Sequence, residues 1–270
     1  MGILNVTPDS FYGASRSPGP EDAVRRGLSM VEEGADIIDV GGESTRPGSE
    51  SIPIEEELRR ILPVIEQLAR RVRLPISVDT YKPEVARRAL DAGATILNDV
   101  LALRGGDGMP GIASRFDAVV LMHMLGTSPR AMQDAPVYQD VVADILSFFG
   151  ERLEVFERAG GDLSRVWLDP GIGFGKTVEH NLRILSDLER FKVPGRPLLI
   201  GVSRKSFLGR LARPEAPLPP EQRLEGSLAV ACRAAQAGAA AVRVHDVGET
   251  VRTLEVWRRV QRPVQEGALA

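Results

Sequence analysis

The chain has 270 residues and a formal net charge of −3 at pH 7, with basic and acidic side chains in nearly equal numbers. This balance excludes a broad basic surface for nucleic acid, and no apolar run in the sequence approaches the length of a membrane span. The single cysteine, Cys232, excludes a disulfide within the chain, so we expect a cytoplasmic protein without a nucleic-acid or membrane partner.

Short apolar runs that are typical of β-strands alternate along the chain with stretches of helical periodicity. The predicted strands are 2–6, 36–41, 75–79, 95–100, 118–123, 165–169, 197–202 and 241–245. The predicted helices are 21–34, 54–71, 83–92, 138–159, 179–191, 221–237 and 248–260, with a short one near 109–116. This alternation predicts one α/β domain over residues 1–270, a (β/α)8 barrel that ends in a flexible tail of about eight residues.

Polar and charged side chains lie at or just beyond the ends of the predicted strands. They are Asn5, Asp79, Asn98, Asp169, Lys205, Arg243 and His245. In a parallel barrel the carboxyl ends of all strands face the same way, so these side chains would converge on one pocket, as in an enzyme. The long loops 7–20 and 42–52 follow the first two strands on that face, and we expect them to be mobile and to close over the pocket.

Lysine is rare in this chain. Only four of the 34 basic residues are lysine, and Lys82, Lys176 and Lys205 stand beside Gly, Pro or Ser at predicted strand ends. Because arginine is used almost everywhere else, this placement favours a specific task for the three lysines. Chance retention is the alternative.

Eight sequence blocks, in order along nearly the whole chain, resemble the dihydropteroate synthases, a family of pterin-binding enzymes. They are MGILNVTPDSF (1–11), DVGGESTRPGS (39–49), SVDTYKP (77–83), LNDV (97–100), MHM (122–124), DPGIGFGK (169–176), GVSRKSFLG (201–209) and RVHDV (243–247). Several of the blocks are long, so the resemblance is specific. It implies a TIM barrel that joins 6-hydroxymethyl-7,8-dihydropterin diphosphate to p-aminobenzoate, giving 7,8-dihydropteroate and pyrophosphate in folate synthesis. It also implies a Mg²⁺ cofactor, sulfonamides as inhibitors and a homodimer.

The resemblance implies a pterin pocket lined by Asp79, Asn98, Met122, Asp169, Phe174, Gly201, Lys205 and Arg243. A buried carboxylate such as that of Asp169 suits the pterin edge, which presents an amide and an amino group like those of guanine. Asp79 would stabilise the cation that forms by dissociative loss of pyrophosphate. Both aspartates have a plainer interpretation as helix caps or loop ties.

The diphosphate carries about three negative charges, so it requires cations or a metal more than a general acid. The resemblance assigns its contacts to Asn5, Thr45, Arg46, Arg243 and His245. Asn5 is the expected protein ligand of Mg²⁺, whose other ligands would be diphosphate oxygens and water. Arg243 and His245 are two positions apart and would point to the same side of the last strand. A satisfied core histidine is the alternative for His245.

For p-aminobenzoate the resemblance implies contacts with Thr45, Arg46, Pro47, Phe174, Lys205 and Ser206. Ser206 stands where the seventh strand gives way to a helix, so its hydroxyl and unpaired backbone N–H groups would form a small anion site. The expected catalytic residues are Asp9, Arg46, Asp79 and Lys205, and Asp9, Phe11 and Arg46 would arrive from the first two loops. Simple solvation is the alternative for Asp9 and Arg46.

Other chemistries fit these residues less well. The stretch PGIGFGKT lacks the first glycine of a P-loop, and the three histidines have no zinc-site spacing. Lys205 would suit a Schiff-base aldolase, but Asp9, Arg46 and Asn5 would then lack a purpose.

Two alternatives remain within the pterin-binding class. One is a pterin-binding corrinoid methyltransferase, which has no need of Lys205 and Ser206 or of the RVH sequence, and the other is a non-catalytic pterin-binding homologue. Members of the family carry a short segment before the first strand, whereas this sequence begins at the strand. The sequence leaves open the roles of Asp39, Glu43, His123 and Arg130.

Overall fold

Strands and helices alternate along the chain in the computed structural model, which describes residues 1–7, 19–44, 49–126, 136–193 and 195–261. The strands are β1 Gly2–Asn5, β2 Ile38–Gly41, β3 Ile76–Asp79, β4 Ile96–Asp99, β5 Ala118–Met122, β6 Val166–Asp169, β7 Leu199–Gly201 and β8 Ala241–Arg243. The α-helices are α1 Pro20–Glu32, α2 Ile54–Arg71, α3 Pro83–Asp91, α4 Met109–Ala113, α5 Val141–Arg158, α6 Val178–Ser186, α7 Ser206–Ala212, α8 Leu224–Gln236 and α9 Val247–Val260.

The eight strands form a closed parallel barrel. Strands β1 to β6 pair in chain order, and β7 pairs with β8. The Leu168 N–H donates to the Pro197 carbonyl at 2.9 Å and joins β6 to β7. The Ile3 N–H donates to the Val244 carbonyl at 2.8 Å, and the Val244 N–H donates to the Met1 carbonyl at 2.9 Å, which joins β8 to β1. These bonds complete the ring, so the predicted (β/α)8 barrel is confirmed.

Side-chain alternation along the strands divides the molecule into an inner and an outer core. Outward-facing residues such as Leu97 and Leu168 pack in the large cluster that the strands share with the helices. The inward-facing residues Ile96, Val120 and Leu199 belong to a smaller apolar cluster within the barrel. Because side chains on one face of a strand recur every second residue, the next inward position on each strand lies one layer closer to the barrel mouth.

The helices begin largely where the sequence predicts. Pro20 and Pro83 occupy first-turn positions of α1 and α3, where proline loses no helical hydrogen bond. In α2, Ile61, Val64 and Leu68 recur at helical spacing and are fully buried against the barrel. In the residues that the structure describes, no helix has both the length and the apolar character needed to cross a membrane.

The seventh strand–helix unit differs from the prediction. The sequence analysis gave bounds to only one helix there, at 221–237, and expected a helix of unstated length to begin near Ser206, whereas the structure has α7 at Ser206–Ala212 followed by α8. A helix of seven residues completes only two turns, which is too short to show a clear period. The predicted helix 179–191 is also divided, because α6 ends at Ser186 and a separate 3₁₀ turn covers Leu188–Phe191.

Some predicted functional residues lie outside the described ranges. They are Asp9, Phe11, Thr45, Arg46, Pro47 and Arg130. The expected tail at the end of the chain falls there as well. The mobility predicted for loops 7–20 and 42–52 therefore stays a prediction.

Candidate active site

Predicted site residues occupy the inward layer nearest the barrel mouth. Asn5 pairs in register with Gly41, Gly41 with Asp79, and Asp79 with Asn98, which forms one row across β1 to β4. A Cβ atom at Gly41 would lie 3.7 Å from both Asn5 Oδ1 and Asp79 Oδ2. The absence of a side chain at Gly41 therefore leaves these two oxygens beside a common gap.

Arg243 links the two sides of this layer. Its Nε donates to Asp39 Oδ2 at 2.6 Å, and its Nη2 donates to Asp79 Oδ2 at 2.6 Å. Asn98 Nδ2 donates to the same Asp39 oxygen at 3.1 Å. Burial alone would lower the pKa of Arg243, but Asp39 and Asp79 more than offset burial and raise it. Arg243 thus brings a permanent positive charge to the barrel mouth.

The carboxylates of this array retain capacity for a ligand. Burial raises the pKa of Asp79 to about 7, although Arg243 opposes the shift, and nearby Asp39 raises it further. Oδ1 of Asp79 and Oδ1 of Asp39 are buried and have no hydrogen-bond partner among the described residues. Buried polar atoms usually have partners, so these oxygens are available to accept from a bound molecule.

Asp169 and Lys205 lie on the other side of the mouth, near enough for each to affect the pKa of the other. Asp169 is 5% exposed, and its Oδ1 accepts from the Gly171 N–H at 2.7 Å. A Cβ at Gly201 would lie 3.7 Å from Asp169 Oδ2, so Gly201 leaves space beside that oxygen. Burial raises the pKa of Asp169, while Lys205 opposes the rise. The loop-tie interpretation of Asp169 therefore accounts for only one of its two oxygens.

Lys205 lies between this carboxylate and an aromatic wall. Its Nζ donates to the Ile172 carbonyl and lies 4.3 Å from the centre of the Phe174 ring. Burial lowers the pKa of Lys205 to about 7, although Asp169 opposes the shift. Phe174 packs with a small buried cluster that includes Met122. Met122 and Phe174 thus provide an apolar surface beside the charged groups.

Glycines hold the loop after β6 close to its neighbours. Gly171 has φ +65°, and a Cβ there would lie 1.9 Å from the His123 carbonyl oxygen. Gly173 has φ +82°, and its Cβ would lie 2.9 Å from Lys205 Cδ. Glycine alone tolerates this backbone conformation together with such close packing.

Lys176 and His123 form a buried contact that the sequence analysis did not predict. Lys176 is 4% exposed, and its Nζ donates to His123 Nδ1 at 2.9 Å and to the Phe174 carbonyl at 3.0 Å. Burial, and then Lys176, lower the pKa of His123 to about 2, so its ring is neutral and can accept. Burial also lowers the pKa of Lys176 well below its usual value. The scarcity of lysine and the block DPGIGFGK, which ends at Lys176, are the sequence signals that point to this residue.

His245 and Ser206 lie at the rim of the site. His245 is half-buried, and its Nδ1 lies 3.0 Å from Ser203 Oγ, so a structural role for His245 stays an alternative to the predicted diphosphate contact. Ser206 is exposed and is the first residue of α7. The anion contact predicted for the Ser206 hydroxyl and the backbone N–H groups that follow it stays a prediction.

The side chains around Asn5 suit a metal ion that takes most of its ligands from substrate and water. Among the residues that the structure describes, no three His, Cys, Asp or Glu side chains form a group that could hold a metal. An ion at Asn5 would have the neutral amide oxygen as its protein ligand, because Asp79 Oδ2 across the same gap already accepts from Arg243. This single oxygen ligand fits Mg²⁺, which binds hard oxygen ligands and takes most of them from substrate phosphate and water.

Known proteins match the chain over nearly its whole length. A family model described as pterin binding enzyme matches residues 1–245. The dihydropteroate synthase of Escherichia coli (strain K12) is 47% identical over 256 residues, which are 95% of this chain and 89% of that protein.

Solved structures agree with this family match. The Xanthomonas albilineans dihydropteroate synthase with 4-aminobenzoic acid has a TM-score of 0.89 and 49% identity, covering 97% of this chain and 93% of that one. Its complex with 7,8-dihydropteroate has a TM-score of 0.86 and 46% identity at the same coverage. The Yersinia pestis dihydropteroate synthase with a sulfonamide has a TM-score of 0.89 and 42% identity, covering 96% and 93% of the two chains. The chain belongs to the pterin-binding enzymes and, within them, to the dihydropteroate synthases.

Proposed function

We propose that the protein joins 6-hydroxymethyl-7,8-dihydropterin diphosphate to p-aminobenzoate and releases pyrophosphate. The observation that carries the proposal is the barrel mouth itself, where Asp79 accepts from Arg243 and where Lys205 and Arg243 lie close enough to Asp169 to affect its pKa. This arrangement offers buried acceptors for a heterocycle and cations for a polyanion. The relatives described above carry the synthase name, which favours this reaction over the methyltransferase alternative.

Asp169 is proposed to recognise the pterin edge. Its carboxylate would accept from the amide and amino groups of the ring, as acidic side chains do with nucleobases. Asn98 and Lys205 would complete the polar contacts in the plane of the ring. Met122 and Arg243 would lie against its faces, and Gly201 would leave the space that the ring requires.

The proposed chemistry is loss of the diphosphate followed by attack of an amine. The bond between the exocyclic carbon and the diphosphate oxygen breaks, and its electron pair leaves with the diphosphate. The p-aminobenzoate nitrogen then bonds to that carbon and gives up a proton to water or to the leaving group. Asp79, when ionised, would stabilise the intermediate cation more than the neutral substrate and would thereby lower the barrier.

Positive charge around the leaving group would supply the other large contribution. One charge pair at a separation of about 4 Å is worth about 4 kcal/mol at an effective dielectric constant near 20. Arg243 and His245 are the proposed diphosphate contacts among the described residues. Asn5 would hold Mg²⁺ through its side-chain oxygen, and the metal when bound would neutralise diphosphate charge. Thr45, Arg46 and Asp9 keep the roles predicted from the sequence.

The p-aminobenzoate pocket is proposed to lie between Phe174, Lys205 and Ser206. The support is the exposed Ser206 hydroxyl next to Lys205, whose ammonium group lies against the Phe174 ring. Pro47 would complete the wall. Sulfonamides are proposed to occupy the same pocket of this protein, as mimics of the substrate. Its homodimeric state stays a proposal that rests on the family resemblance, and its cytoplasmic location stays a proposal that rests on the sequence.

Pyrophosphate release tests this function directly. We expect the purified protein to release pyrophosphate from the pterin diphosphate only when p-aminobenzoate and Mg²⁺ are both present. A non-catalytic homologue would bind the pterin in calorimetry without releasing pyrophosphate. Release that is independent of p-aminobenzoate would indicate hydrolysis and would contradict the proposed condensation.

A further inference from the structure

A buried cluster of ionised side chains lies beside the loop that follows β2. Lys82 Nζ donates to Glu43 Oε2 at 2.6 Å and to the Ile52 carbonyl at 2.6 Å, and it lies 2.8 Å from Glu57 Oε2. The exposed fractions of Glu43, Glu57 and Lys82 are only 8%, 1% and 9%. Three elements meet here, because Glu43 follows β2, Glu57 lies in α2 and Lys82 precedes α3.

Glu43 connects the two ends of the loop that surrounds residues 45–48. Glu43 precedes this segment, and Ser51 and Ile52 follow it. Glu43 Oε2 accepts from the Ile52 N–H at 3.1 Å and from Ser51 Oγ at 3.3 Å. Tyr81 Oη donates to Glu43 Oε1 at 2.5 Å and lies 3.0 Å from Ser51 Oγ. One carboxylate therefore joins residue 43 to residues 51 and 52.

The lysine fixes this carboxylate in place. Burial alone would lower the pKa of Lys82, but hydrogen bonds to Glu43 and Glu57 raise it above its usual value, so Lys82 stays charged. Burial raises the pKa of Glu57 despite Lys82, as expected where two carboxylates share one cation. A compact ammonium group can direct its three donors to separate oxygens, which explains lysine in a chain that otherwise uses arginine.

Stability alone explains such a cluster poorly. The desolvation of buried charges offsets most of their attraction, so buried ion pairs often stabilise a fold no more than apolar residues would. A role in fixing residues 43, 51 and 52 relative to one another accounts better for contacts on both sides of residues 45–48. Residues 45–48 include Thr45, Arg46 and Pro47, which are the predicted p-aminobenzoate contacts.

We infer that Glu43 is a positioning residue for p-aminobenzoate: it ties together the two ends of the second βα loop, and Lys82 holds it there. The inference rests on the proposed function, because the segment between the tied ends carries the predicted contacts. The pterin contacts Asn98, Asp169 and Lys205 lie on other elements. Loss of the tie should therefore affect the two substrates unequally.

Glu43→Gln and Glu57→Gln form a matched pair of variants. Each removes one negative charge from the same cluster, but only Glu43 contacts the loop ends. We expect Glu43→Gln to raise KM for p-aminobenzoate by about fivefold or more, with KM for the pterin diphosphate changed by less than about twofold. Both variants should lower the thermal midpoint by similar amounts. Glu57→Gln, however, should leave both KM values within about twofold of those of the wild-type protein.

Tyr81→Phe provides a milder variant that removes only the hydroxyl bridging Glu43 and Ser51. It should raise KM for p-aminobenzoate by about two- to threefold without a comparable change in KM for the pterin diphosphate. Equal KM changes for the two substrates, or equal effects of the Glu43 and Glu57 variants, would overturn the inference. Wild-type protein that fails to release pyrophosphate would refute the proposed function instead, so the two failures are distinguishable.

Discussion

At the scale of single residues, the site places two titrating groups on opposite sides of one cavity mouth. Burial brings the pKa of Asp79 up to about 7 and the pKa of Lys205 down to about 7. Arg243 keeps its positive charge because Asp39 and Asp79 raise its pKa. The unliganded protein therefore changes the charge of its site most strongly near neutral pH.

These two groups predict a narrow bell-shaped pH dependence of kcat/KM for the pterin diphosphate, which reports the unliganded enzyme. Below about pH 7 Asp79 gains a proton and no longer stabilises a cation, so kcat/KM should fall as pH decreases. Above about pH 7 Lys205 loses its proton, so kcat/KM should fall as pH increases.

Two variants separate the limbs of this profile. Lys205→Arg retains the positive charge and should move the alkaline limb to higher pH. Asp79→Asn should remove the acid limb, and its activity should be much lower. Ionisation of the substrate is common to all three proteins and cancels in their ratios. An alkaline limb that is unchanged in Lys205→Arg would exclude Lys205 as its source.

Asp169→Asn tests recognition of the pterin edge. The amide replaces one acceptor by a donor that would face the N–H groups of the ring, so we expect a loss of about 2–5 kcal/mol in binding free energy. Calorimetry with the pterin diphosphate measures the loss, and thermal unfolding checks that the variant is folded. Unchanged affinity would remove Asp169 from the site.

The residues that sequence alone identified share one property. Asn5, Asp79, Asn98 and Asp169 stand at strand ends, where the inward position of a barrel strand reaches the mouth, and the family motifs name them. The partners Asp39 and Glu43 lie within the same motifs, yet their contacts join residues far apart in sequence. Asp39, for instance, meets Arg243 on β8, and such pairing depends on barrel closure, which no local pattern contains.

At the scale of elements, the loop between β6 and α6 shapes the proposed pterin site. Gly171 supplies the N–H that orients Asp169, and a Cβ at Gly171 would lie 1.9 Å from the His123 carbonyl oxygen. Lys176 at the end of this loop donates to His123 as well. The loop is thus fixed against β5 at two points.

Gly171→Ala should disturb this loop more than backbone strain alone would. The methyl group must displace the loop from His123, so we expect pterin affinity to fall by about tenfold or more. Gly160→Ala is a matched control, because Gly160 also has positive φ, at +82°, but nothing lies within 4 Å of its Cβ position. It should cost about 1 kcal/mol of stability without altering pterin affinity.

Calorimetry and thermal unfolding of both variants give the comparison. Equal pterin affinities in the two variants would show that the loop position does not control the site.

The short helix α7 illustrates why short helices are harder to predict from sequence than long ones. Its seven residues give little periodicity, although Phe207 and Leu208 bury their side chains, whereas α2 over Ile54–Arg71 shows a clear apolar face.

At the scale of the whole molecule, barrel closure turns a linear pattern into a pocket. Three of the strands carry an apolar inward residue and, two positions later, a residue of the candidate site: Ile96 precedes Asn98, Val120 precedes Met122, and Leu199 precedes Gly201. The period of two predicts which side chains share a face. Closure through β6–β7 and β8–β1 then brings all these faces to a common mouth.

The same architecture predicts an order of binding. The proposed p-aminobenzoate pocket has walls from the described residues Phe174, Lys205 and Ser206 and others from the second loop, and the bound pterin would form its floor. A sulfonamide should therefore bind weakly to the unliganded protein and more tightly once a pterin, pyrophosphate and Mg²⁺ are present. The coupling would be about tenfold or more in affinity.

Thermal unfolding can measure this coupling, because a ligand that binds only the folded state stabilises it. At about 100 times its Kd a ligand contributes about 2.7 kcal/mol. For a protein of this size that corresponds to a midpoint increase of about 5–10 °C. We expect a sulfonamide alone to shift the midpoint by less than about 1 °C, and to add several degrees when a pterin without its diphosphate, pyrophosphate and Mg²⁺ are already bound. Equal sulfonamide shifts with and without these ligands would mean that the pocket is complete in the unliganded barrel.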